Sequence, residues 1–213
     1  MLFRSAQYKG IIVTIALIDY GAGNVPSVER ALERLGATSH PVTRPEDLAS
    51  AKAIILPGVG HYAAIIRALD SQNLRSPLLE AIARGVPFLG ICLGLQALYA
   101  CSEEAPTLSG LGLLAGGVRS LPQTTKLPHM GWNRLRIVKP TPLLEGLNES
   151  DYFYFAHSFA APHSTENAVA LCEYGTSFAA TLQRGNVFAT QFHPEKSGAA
   201  GARLLQNFLR LAA

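Results

Sequence analysis

The sequence has few charges and few cysteines, and neither kind of residue is clustered. Lysine and arginine outnumber aspartate and glutamate by 18 to 15 in 213 residues, a net charge of +3. No basic cluster is interleaved with aromatic residues, so we expect no nucleic-acid partner. The three cysteines fit neither a disulfide framework nor a metal-ligand spacing. We therefore expect no metal, no organic cofactor and a reducing, cytoplasmic setting.

The sequence also lacks a long apolar run. No stretch approaches the ~20 apolar residues of a membrane span, so we expect no membrane association. The first residues, MLFRSAQYKG followed by IIVTIALID, look like a signal peptide, but no small-residue cleavage site follows them. We interpret residues 1–10 as a flexible extension before the first core strand. Because nothing in the composition marks a linker, residues 1–213 are predicted to form a single domain.

The order of predicted elements indicates the fold class. In the first half, short β-branched apolar runs alternate with helical patterns, which is typical of βα units. The second half is mostly strand patterns, two of which flank the hairpin signal Arg184-Gly185-Asn186. The sequence predicts an α/β fold, a mostly parallel central sheet flanked by helices with antiparallel strands in the C-terminal half. The predicted strands are 11–18, 38–42, 53–56, 87–91, 135–138, 152–159, 168–174, 178–183 and 187–192, and the predicted helices are 25–35, 61–69, 77–83, 93–101 and 200–211.

The stretch FLGICLGLQAL, residues 88–98, places a cysteine between glycines where a predicted strand meets a predicted helix. A sharp strand-to-helix turn strains its central residue and needs small neighbours, which Gly90 and Gly94 provide around Cys92. The N–H groups of the following helix favour a thiolate. An inert buried cysteine is the common alternative, and we keep it for Cys101 and Cys172. For Cys92 the glycines favour a nucleophile.

A second stretch, ATQFHPEKS at 189–197, offers a base and an acid for this nucleophile. His193 and Glu195 are two residues apart, so in extended backbone their side chains point to the same side. A carboxylate in that position would fix the imidazole tautomer and stabilise the imidazolium. The alternative is a surface histidine beside a solvated glutamate.

Taken together, the two stretches make the chain resemble a class I glutamine amidotransferase. More narrowly, it is similar to the glutaminase subunits of imidazole glycerol phosphate synthases, from histidine biosynthesis. The resemblance extends from residue 18 to residue 197, nearly the whole chain. Four further stretches are typical of that subfamily: IDYGAGN (18–24), LPGVGHY (56–62), LPHMGWN (127–133) and YFAHSF (154–159).

The resemblance implies a catalytic triad. Cys92 would attack the side-chain amide of L-glutamine to form a γ-glutamyl thioester, which water hydrolyses to glutamate, with ammonia as the useful product. His193 would act as base and then as acid, oriented by Glu195. The acid follows the histidine here, whereas in α/β-hydrolases it precedes the histidine.

The resemblance also implies an oxyanion hole that combines the backbone N–H of Leu93 with one from Gly58, Val59 or Gly60. The two glycines permit this loop to rotate a peptide, because neither is strained at positive φ. Members of the family are expected to be nearly idle until that rotation occurs. A plain strand-to-helix turn is the alternative interpretation of the loop.

The expected glutamine pocket centres on Gln96, one helical turn beyond Cys92 and on the same side. The family assigns this position to the amino-acid end of glutamine. Two positions depart from the family pattern: Leu95 stands where methionine is frequent, and Phe159 where tyrosine is frequent, which removes a hydroxyl contact. The other residues that the resemblance places in the pocket are Glu104, His157, Ser158 and Phe159.

The resemblance implies a partner, a (β/α)8-barrel cyclase subunit that forms a heterodimer with the glutaminase and receives its ammonia. Trp132 is the only tryptophan of the chain, and tryptophan is enriched at interface hot spots. A core tryptophan is the alternative. The residues expected at the subunit interface are Met130, Trp132, Asn133 and Lys196.

Two other functions stay open on the sequence alone. The acceptor of the ammonia could be that of an anthranilate, aminodeoxychorismate or pyridoxal phosphate synthase, although LPHMGWN and LPGVGHY favour the first subfamily. A non-catalytic binding subunit of the same fold would be expected to have lost triad residues, and Cys92, His193 and Glu195 are all present.

Overall fold

The computed structural model describes residues 14–212. The predicted extension at residues 1–10 and the first three residues of the predicted first strand lie outside the described residues. The strands are β1 Thr14–Ile18, β2 Thr38–Val42, β3 Ile54–Gly58, β4 Phe88–Cys92, β5 Tyr99–Ser102, β6 Leu114–Ser120, β7 His129–Arg134, β8 Arg136–Ile137, β9 Tyr152–His157, β10 Phe159–Pro162, β11 Ala168–Glu173, β12 Ser177–Arg184 and β13 Val187–Thr190. The α-helices are α1 Val25–Arg34, α2 Tyr62–Ser71, α3 Arg75–Ala83, α4 Leu93–Gln96 and α5 Gly198–Leu211.

Within residues 14–212, one sheet of eleven strands forms the centre of the molecule. Its first half, in the order β2-β1-β3-β4-β13, is parallel throughout. From β13 the order continues β12-β10-β6-β5, and the β13, β12, β10 and β6 neighbours are antiparallel. Strands β11 and β8 extend from β12, also antiparallel. The predicted fold class is confirmed, including the change from parallel to antiparallel strands.

Helices cover both faces of the parallel half. Alternate residues of β1 belong to different cores: Ala16 and Ile18 pack with α2 and α3, whereas Ile15 and Leu17 pack with α1 and α5. Strands covered on both faces read as nearly continuous apolar runs, which is why these strands could be predicted from the sequence. No helix of the described residues has both the length and the hydropathy to cross a bilayer.

Among the residues that the structure describes, strands β7 and β9 pair only with each other, and we call this two-stranded antiparallel unit the ribbon. Its side chains alternate between two faces, as strand geometry requires. His129 is paired with His157 on the buried face, whereas Trp132 is paired with Tyr154 on the other face. Met130 and Trp132 are 65% and 55% exposed, so the outer face of the ribbon is an aromatic and apolar surface.

The predicted helix 93–101 is wrong in its second half. Helix α4 ends at Gln96, and the chain continues as β5, which pairs in parallel with β6. The residues between 93 and 99 are buried on all sides, so no polar face distinguishes a helix from a strand there. Strands β6 and β7 were not predicted, and β10 was not predicted beyond its first residue, since the predicted strand 152–159 corresponds to β9. The predicted strand 135–138 is only the two-residue β8.

Candidate active site

Cys92 lies at the turn between β4 and α4, at the carboxyl edge of the parallel strands. Its φ of 53° and ψ of −103° are rare for a residue with a side chain. Such backbone strain typically costs about 1–3 kcal/mol and persists only where the surrounding structure imposes it. The side chain is 5% exposed and borders a cavity of about 150 Å³.

The glycines around Cys92 are required by the close approach of α4 to the sheet. A Cβ atom at Gly94 would lie 2.0 Å from the carbonyl oxygen of Leu56 on β3. A Cβ at Gly90 would lie 2.7 Å from the carbonyl oxygen of Gly94, and one at Gly58 would lie 2.6 Å from the Cβ of Leu93. The expected sharp turn is present, and the glycines create it by allowing backbone to pack on backbone.

His193 and Glu195 lie beside Cys92 because β13 is the parallel neighbour of β4. The Nδ1 of His193 is 2.9 Å from the Oε1 of Glu195, and both side chains are almost fully buried. A carboxylate oxygen only accepts, so Nδ1 carries the proton and the other ring nitrogen is left for the sulfur of Cys92. The side-chain amide of Asn24 donates to the same Oε1 at 3.1 Å. Asn24 therefore helps to hold the carboxylate.

The electrostatics of this group favour an ion pair. Burial alone lowers the pKa of His193, but the negative charge of Cys92 and the hydrogen bonds of His193 to Cys92 and Glu195 outweigh it and raise the pKa to about 10. At neutral pH the imidazole of His193 is therefore protonated. By contrast, burial raises the pKa of the Cys172 thiol to about 12, in keeping with an inert core cysteine.

The cavity beside Cys92 brings together the residues expected to bind substrate. The residues that line this cavity come from five separate segments of the chain, which the sheet order places around one point. The lining residues are Val59, Gly60, Cys92, Leu93, Gln96, Glu104, Ala156, His157, Ser158, Phe159, His193 and Lys196.

Two of these expected residues are already engaged by protein groups. The Oε2 of Glu104 accepts from the backbone N–H of Tyr62 at 2.7 Å, which caps the first turn of α2. The amide nitrogen of Gln96 donates to the carbonyl of Phe159 at 2.8 Å and to Gln191 Oε1 at 3.2 Å. Gln191 in turn places its amide nitrogen 3.5 Å from the sulfur of Cys92.

The loop expected to complete the oxyanion hole holds one of its N–H groups away from the cavity. The N–H of Val59 donates to the hydroxyl of Tyr20 at 3.2 Å. Gly60 follows at a φ of +94°, which glycine adopts without strain. Gly58, just before Val59, pairs in register with Cys92 across β3 and β4. A contribution of Val59 to an oxyanion hole therefore requires its peptide to rotate away from Tyr20.

The expected interface residues divide between the two faces of the ribbon. Met130 and Trp132 are on the exposed face, and the Nζ of Lys196 lies 5.8 Å from the ring centroid of Tyr154 near that face. Asn133 faces the other way and donates to the carbonyl of Glu173 at 3.0 Å. In this structure the side-chain amide of Asn133 therefore forms its hydrogen bond within the chain and does not lie on the exposed face of the ribbon.

Tyr20, Asn24 and Gln191 are site residues that the sequence analysis missed. Tyr20 and Asn24 lie in the segment between β1 and α1, and Gln191 directly follows β13, at the edge where the carboxyl ends of the parallel strands converge. Once the strands were predicted, this position beyond a strand end could have marked the three residues as candidates for the site. Within residues 14–212, no group of three or more histidine, cysteine, aspartate or glutamate side chains is arranged to hold a metal ion.

Comparison with known proteins finds relatives that match nearly the full length of the chain. The sequence model of the family described as "Glutamine amidotransferase class-I" matches residues 16–212. The imidazole glycerol phosphate synthase subunit HisH of Moorella thermoacetica is 46% identical over 195 residues, covering 91% of this chain and 93% of that protein. The subunit of the same name from Methanothermobacter thermautotrophicus is 47% identical over 197 residues, covering 92% of this chain and 98% of that protein.

Solved structures share the fold at lower identity. The structure of PurLQS from Thermotoga maritima matches with a TM-score of 0.76 and 23% identity, covering 95% of this chain and 100% of that chain. A crystal structure of a glutamine amidotransferase matches with a TM-score of 0.74 and 24% identity, covering 93% of this chain and 98% of that chain.

Proposed function

The chain belongs to the class I glutamine amidotransferases, and from this membership we propose that it is the glutaminase subunit of an imidazole glycerol phosphate synthase. The observation that carries the proposed activity is the buried group of Cys92, His193 and Glu195 at a strained strand-to-helix turn. The near full-length similarity to two imidazole glycerol phosphate synthase subunits carries the choice of subfamily.

The proposed reaction hydrolyses L-glutamine in two stages. The Cys92 thiolate attacks the side-chain amide carbon, and the carbon–nitrogen bond of the tetrahedral intermediate then breaks to leave a γ-glutamyl thioester. His193 gives its proton to the departing nitrogen, which leaves as ammonia. His193 next takes a proton from water, whose oxygen attacks the thioester carbon; glutamate is released and the thiolate–imidazolium pair is restored.

Glu195 serves this reaction by holding His193. Its Oε1 accepts from Nδ1 at 2.9 Å, which fixes the ring so that the other nitrogen addresses the sulfur and the leaving group. The side-chain amide of Asn24 donates to the same oxygen and helps to hold the carboxylate. Because His193 is protonated at neutral pH, the acid needed in the first stage is in place before substrate binds.

The oxyanion of the intermediate is stabilised, in this proposal, by the N–H of Leu93 at the start of α4 and by a second N–H from the loop Gly58, Val59 and Gly60. The N–H of Val59 is engaged by Tyr20 in the structure described here. One missing donor typically costs a factor of about 10²–10³ in rate, so the loop as it stands would keep the glutaminase slow.

Glutamine is proposed to occupy the cavity of about 150 Å³ beside Cys92. Gln96 would bind its amino-acid end through the amide oxygen, since the amide nitrogen is already engaged. Glu104, His157, Ser158 and Phe159 line the same space and supply its remaining contacts.

The partner that we propose is a (β/α)8-barrel cyclase subunit, docked on the outer face of the ribbon at Met130 and Trp132, with Lys196 at the margin. Ammonia is useful to a cyclase only while unprotonated, and an enclosed path from the glutaminase keeps it so. The cyclase would combine it with a phosphorylated ribulosyl imidazole-carboxamide to give imidazole glycerol phosphate and aminoimidazole carboxamide ribotide. We further propose a cytoplasmic location, in keeping with three free cysteines.

The test is glutamate release from L-glutamine by the purified chain, first alone and then with a cyclase subunit and its ribonucleotide substrate. We expect slow release alone and a rise of at least about 100-fold with the loaded cyclase, the size of one oxyanion donor. Cys92→Ala should abolish release, whereas Cys101→Ala, at the exposed free cysteine, should retain it. No response to the loaded cyclase would refute the acceptor, and activity of Cys92→Ala would refute the mechanism.

A further inference from the structure

His129 is a buried titratable residue that the proposed reaction does not use. Its side chain is 3% exposed and is not among the residues that line the cavity. Its Nδ1 lies 3.1 Å from the Nε2 of His157, which does line the cavity. The Nδ1 of His157 lies 2.9 Å from the carbonyl oxygen of Phe159. On the outer side, Nδ2 of Asn133 lies 3.4 Å from Nε2 of His129.

These contacts fix the tautomer of each histidine. Burial lowers the pKa of His129 to about 4. Burial, with the nearby charges of His129 and His193, lowers the pKa of His157 to about 3. Both rings are thus neutral at physiological pH and each carries one proton. Because a carbonyl only accepts, His157 must carry its proton on Nδ1, and its Nε2 must accept from the Nδ1–H of His129. The Nε2 of His129 then accepts from Asn133.

The series of hydrogen bonds ends at the group that orients Gln96. The carbonyl oxygen of Phe159 accepts both the Nδ1–H of His157 and the amide nitrogen of Gln96, at 2.9 and 2.8 Å. With its nitrogen held there and at Gln191, the Gln96 amide has one orientation, and its oxygen is the atom left for the α-ammonium group of glutamine.

The series of hydrogen bonds begins at β7, the strand whose outward-pointing side chains are exposed. His129 and Asn133 point inward from β7, whereas Met130 and Trp132 point outward from the same strand. His129 also stacks between two aromatic rings, at 4.7 Å from Phe155 and 4.0 Å from Tyr174. Stacking and hydrogen bonding are therefore two separable roles of this ring.

We propose that Asn133, His129, His157 and the carbonyl of Phe159 form a histidine relay, a hydrogen-bonded series of fixed direction that positions the Gln96 amide to bind glutamine. His129 is in this view a positioning residue that acts through His157, with no contact to the substrate. The proposal rests on the proposed glutaminase function, because it concerns the substrate that Gln96 binds.

Two substitutions separate the relay from simple packing. His129→Phe keeps an aromatic ring for stacking but removes the donor to His157. His129→Asn loses the stack but places an amide nitrogen at the position of Nδ1. In the complex with the loaded cyclase, we expect His129→Phe to raise the KM for glutamine about tenfold with kcat changed less than about threefold. We expect His129→Asn to stay within about threefold of the wild-type KM. A wild-type KM in His129→Phe, or an equal rise in both variants, would overturn the relay.

A second measurement reads the relay without turnover. Nitrogen-15 NMR of the histidine rings in the wild-type chain should show the proton on Nδ1 in both His129 and His157 from pH 6 to 8. In His129→Phe, the His157 ring should keep its proton on Nδ1, which the Phe159 carbonyl holds, whereas the Nε2 resonance should shift because that nitrogen has lost its donor. A proton on Nε2 of His129 in the wild type would overturn the relay. Absence of glutamate release by the wild-type complex would instead refute the proposed function, and the NMR result distinguishes the two failures.

Discussion

At the scale of single residues, Cys92 combines a strained backbone with a positively charged neighbour, the protonated His193. Its positive φ directs the sulfur toward the cavity, and His193 supplies the compensating positive charge. The backbone strain does not stabilise the fold, which is expected where a residue is retained for chemistry. The raised pKa of His193 therefore depends on Cys92 and is open to a direct test.

Replacing Cys92 with alanine should lower the pKa of His193 well below its value of about 10. The thiolate charge and its hydrogen bond are lost, while the burial that lowers the pKa remains. Glu195 alone would still partly support the imidazolium. The measurement is a titration of the His193 ring by NMR in the wild type and in Cys92→Ala. An unchanged pKa would mean that the sulfur carries no charge in the folded enzyme.

The buried histidine pair gives the fold a sensitivity to acid. In the folded protein the pKa values of His129 and His157 are about 4 and about 3, whereas the ordinary value is 6.5. Below pH 6.5 the unfolded chain therefore binds more protons than the folded protein, so the free energy of unfolding falls as the pH falls. Between pH 7 and pH 5 each histidine should cost about 2 kcal/mol of stability.

Urea unfolding of the wild type and His129→Phe at both pH values checks this. The variant has one titrating histidine fewer in the pair, so its loss of stability between pH 7 and pH 5 should be about 2 kcal/mol smaller. Comparing each protein with itself removes any difference in overall stability. Equal losses in the two proteins would contradict the assignment of the acid sensitivity to His129.

A site residue could be predicted from the sequence where a short motif around it indicates its role. Cys92, His193 and Glu195 stand in short motifs whose spacing is informative, and the structure brings them together. Tyr20 and Asn24 stand in IDYGAGN and Gln191 stands in ATQFHPEKS, but no spacing within these stretches marks the three as site residues. They are brought to the site by the order of strands β1, β3, β4 and β13, which a residue-by-residue interpretation does not contain.

At the scale of elements, the turn from β4 to α4 is held by backbone contacts that admit no side chain. The carbonyl of Leu56 on β3 occupies the place of a Cβ on Gly94. The glycine thus joins three elements, and its effect on stability should exceed that of a glycine chosen only for its φ angle.

Gly94→Ala should destabilise the protein by about 3 kcal/mol or more, because the added methyl group meets backbone that cannot move aside. The matched control is Gly85→Ala, at the end of α3. Gly85 has a φ of +89° and open space around its missing Cβ, so only backbone strain of about 1 kcal/mol is expected. Urea unfolding measures the loss of stability in each variant, and we expect the larger loss in Gly94→Ala. A smaller effect at Gly94 would show that α4 shifts easily on the sheet.

The errors in element prediction also have a physical origin. Residues 97–101 were predicted as the end of a helix, yet the chain adds β5 beside β6. Gly110 makes this possible, since a Cβ there would lie 2.0 Å from the carbonyl oxygen of Tyr99. That contact joins positions eleven residues apart in sequence, and local periodicity carries no information about it. The amphipathic helices α1 and α5, by contrast, were predicted to within two residues at each end.

At the scale of the whole molecule, the candidate site and the candidate docking surface lie on two faces of one thin unit, the ribbon. The outer face exposes Met130 and Trp132, while the inner face holds His129 and His157. A patch of large apolar and aromatic side chains on a protein surface is typical of a protein–protein interaction site.

Trp132→Ala should weaken binding to the cyclase by about 2 kcal/mol, which is a rise in Kd of about 30-fold. Because Trp132 is 55% exposed, the free energy of unfolding of the isolated chain should change by less than about 0.5 kcal/mol. Val138→Ala, at an exposed apolar residue outside the ribbon, is the control and should leave the Kd unchanged. Calorimetric titration of each variant with the cyclase subunit measures the Kd, and urea unfolding of the isolated chain measures the free energy of unfolding. Equal effects of the two substitutions would place the interface elsewhere.

Because side chains alternate between the two faces of the ribbon, inserting or deleting a residue in β7 is more damaging than substituting one. Removing or inserting one residue within β7 would shift every later side chain to the opposite face, sending Trp132 inward and Asn133 outward. One frame-preserving codon deletion would thus damage the docking surface and the glutamine pocket together. Point substitutions, which leave the parity of the strand intact, can alter either face alone, so the length of β7 should diverge far more slowly than its sequence.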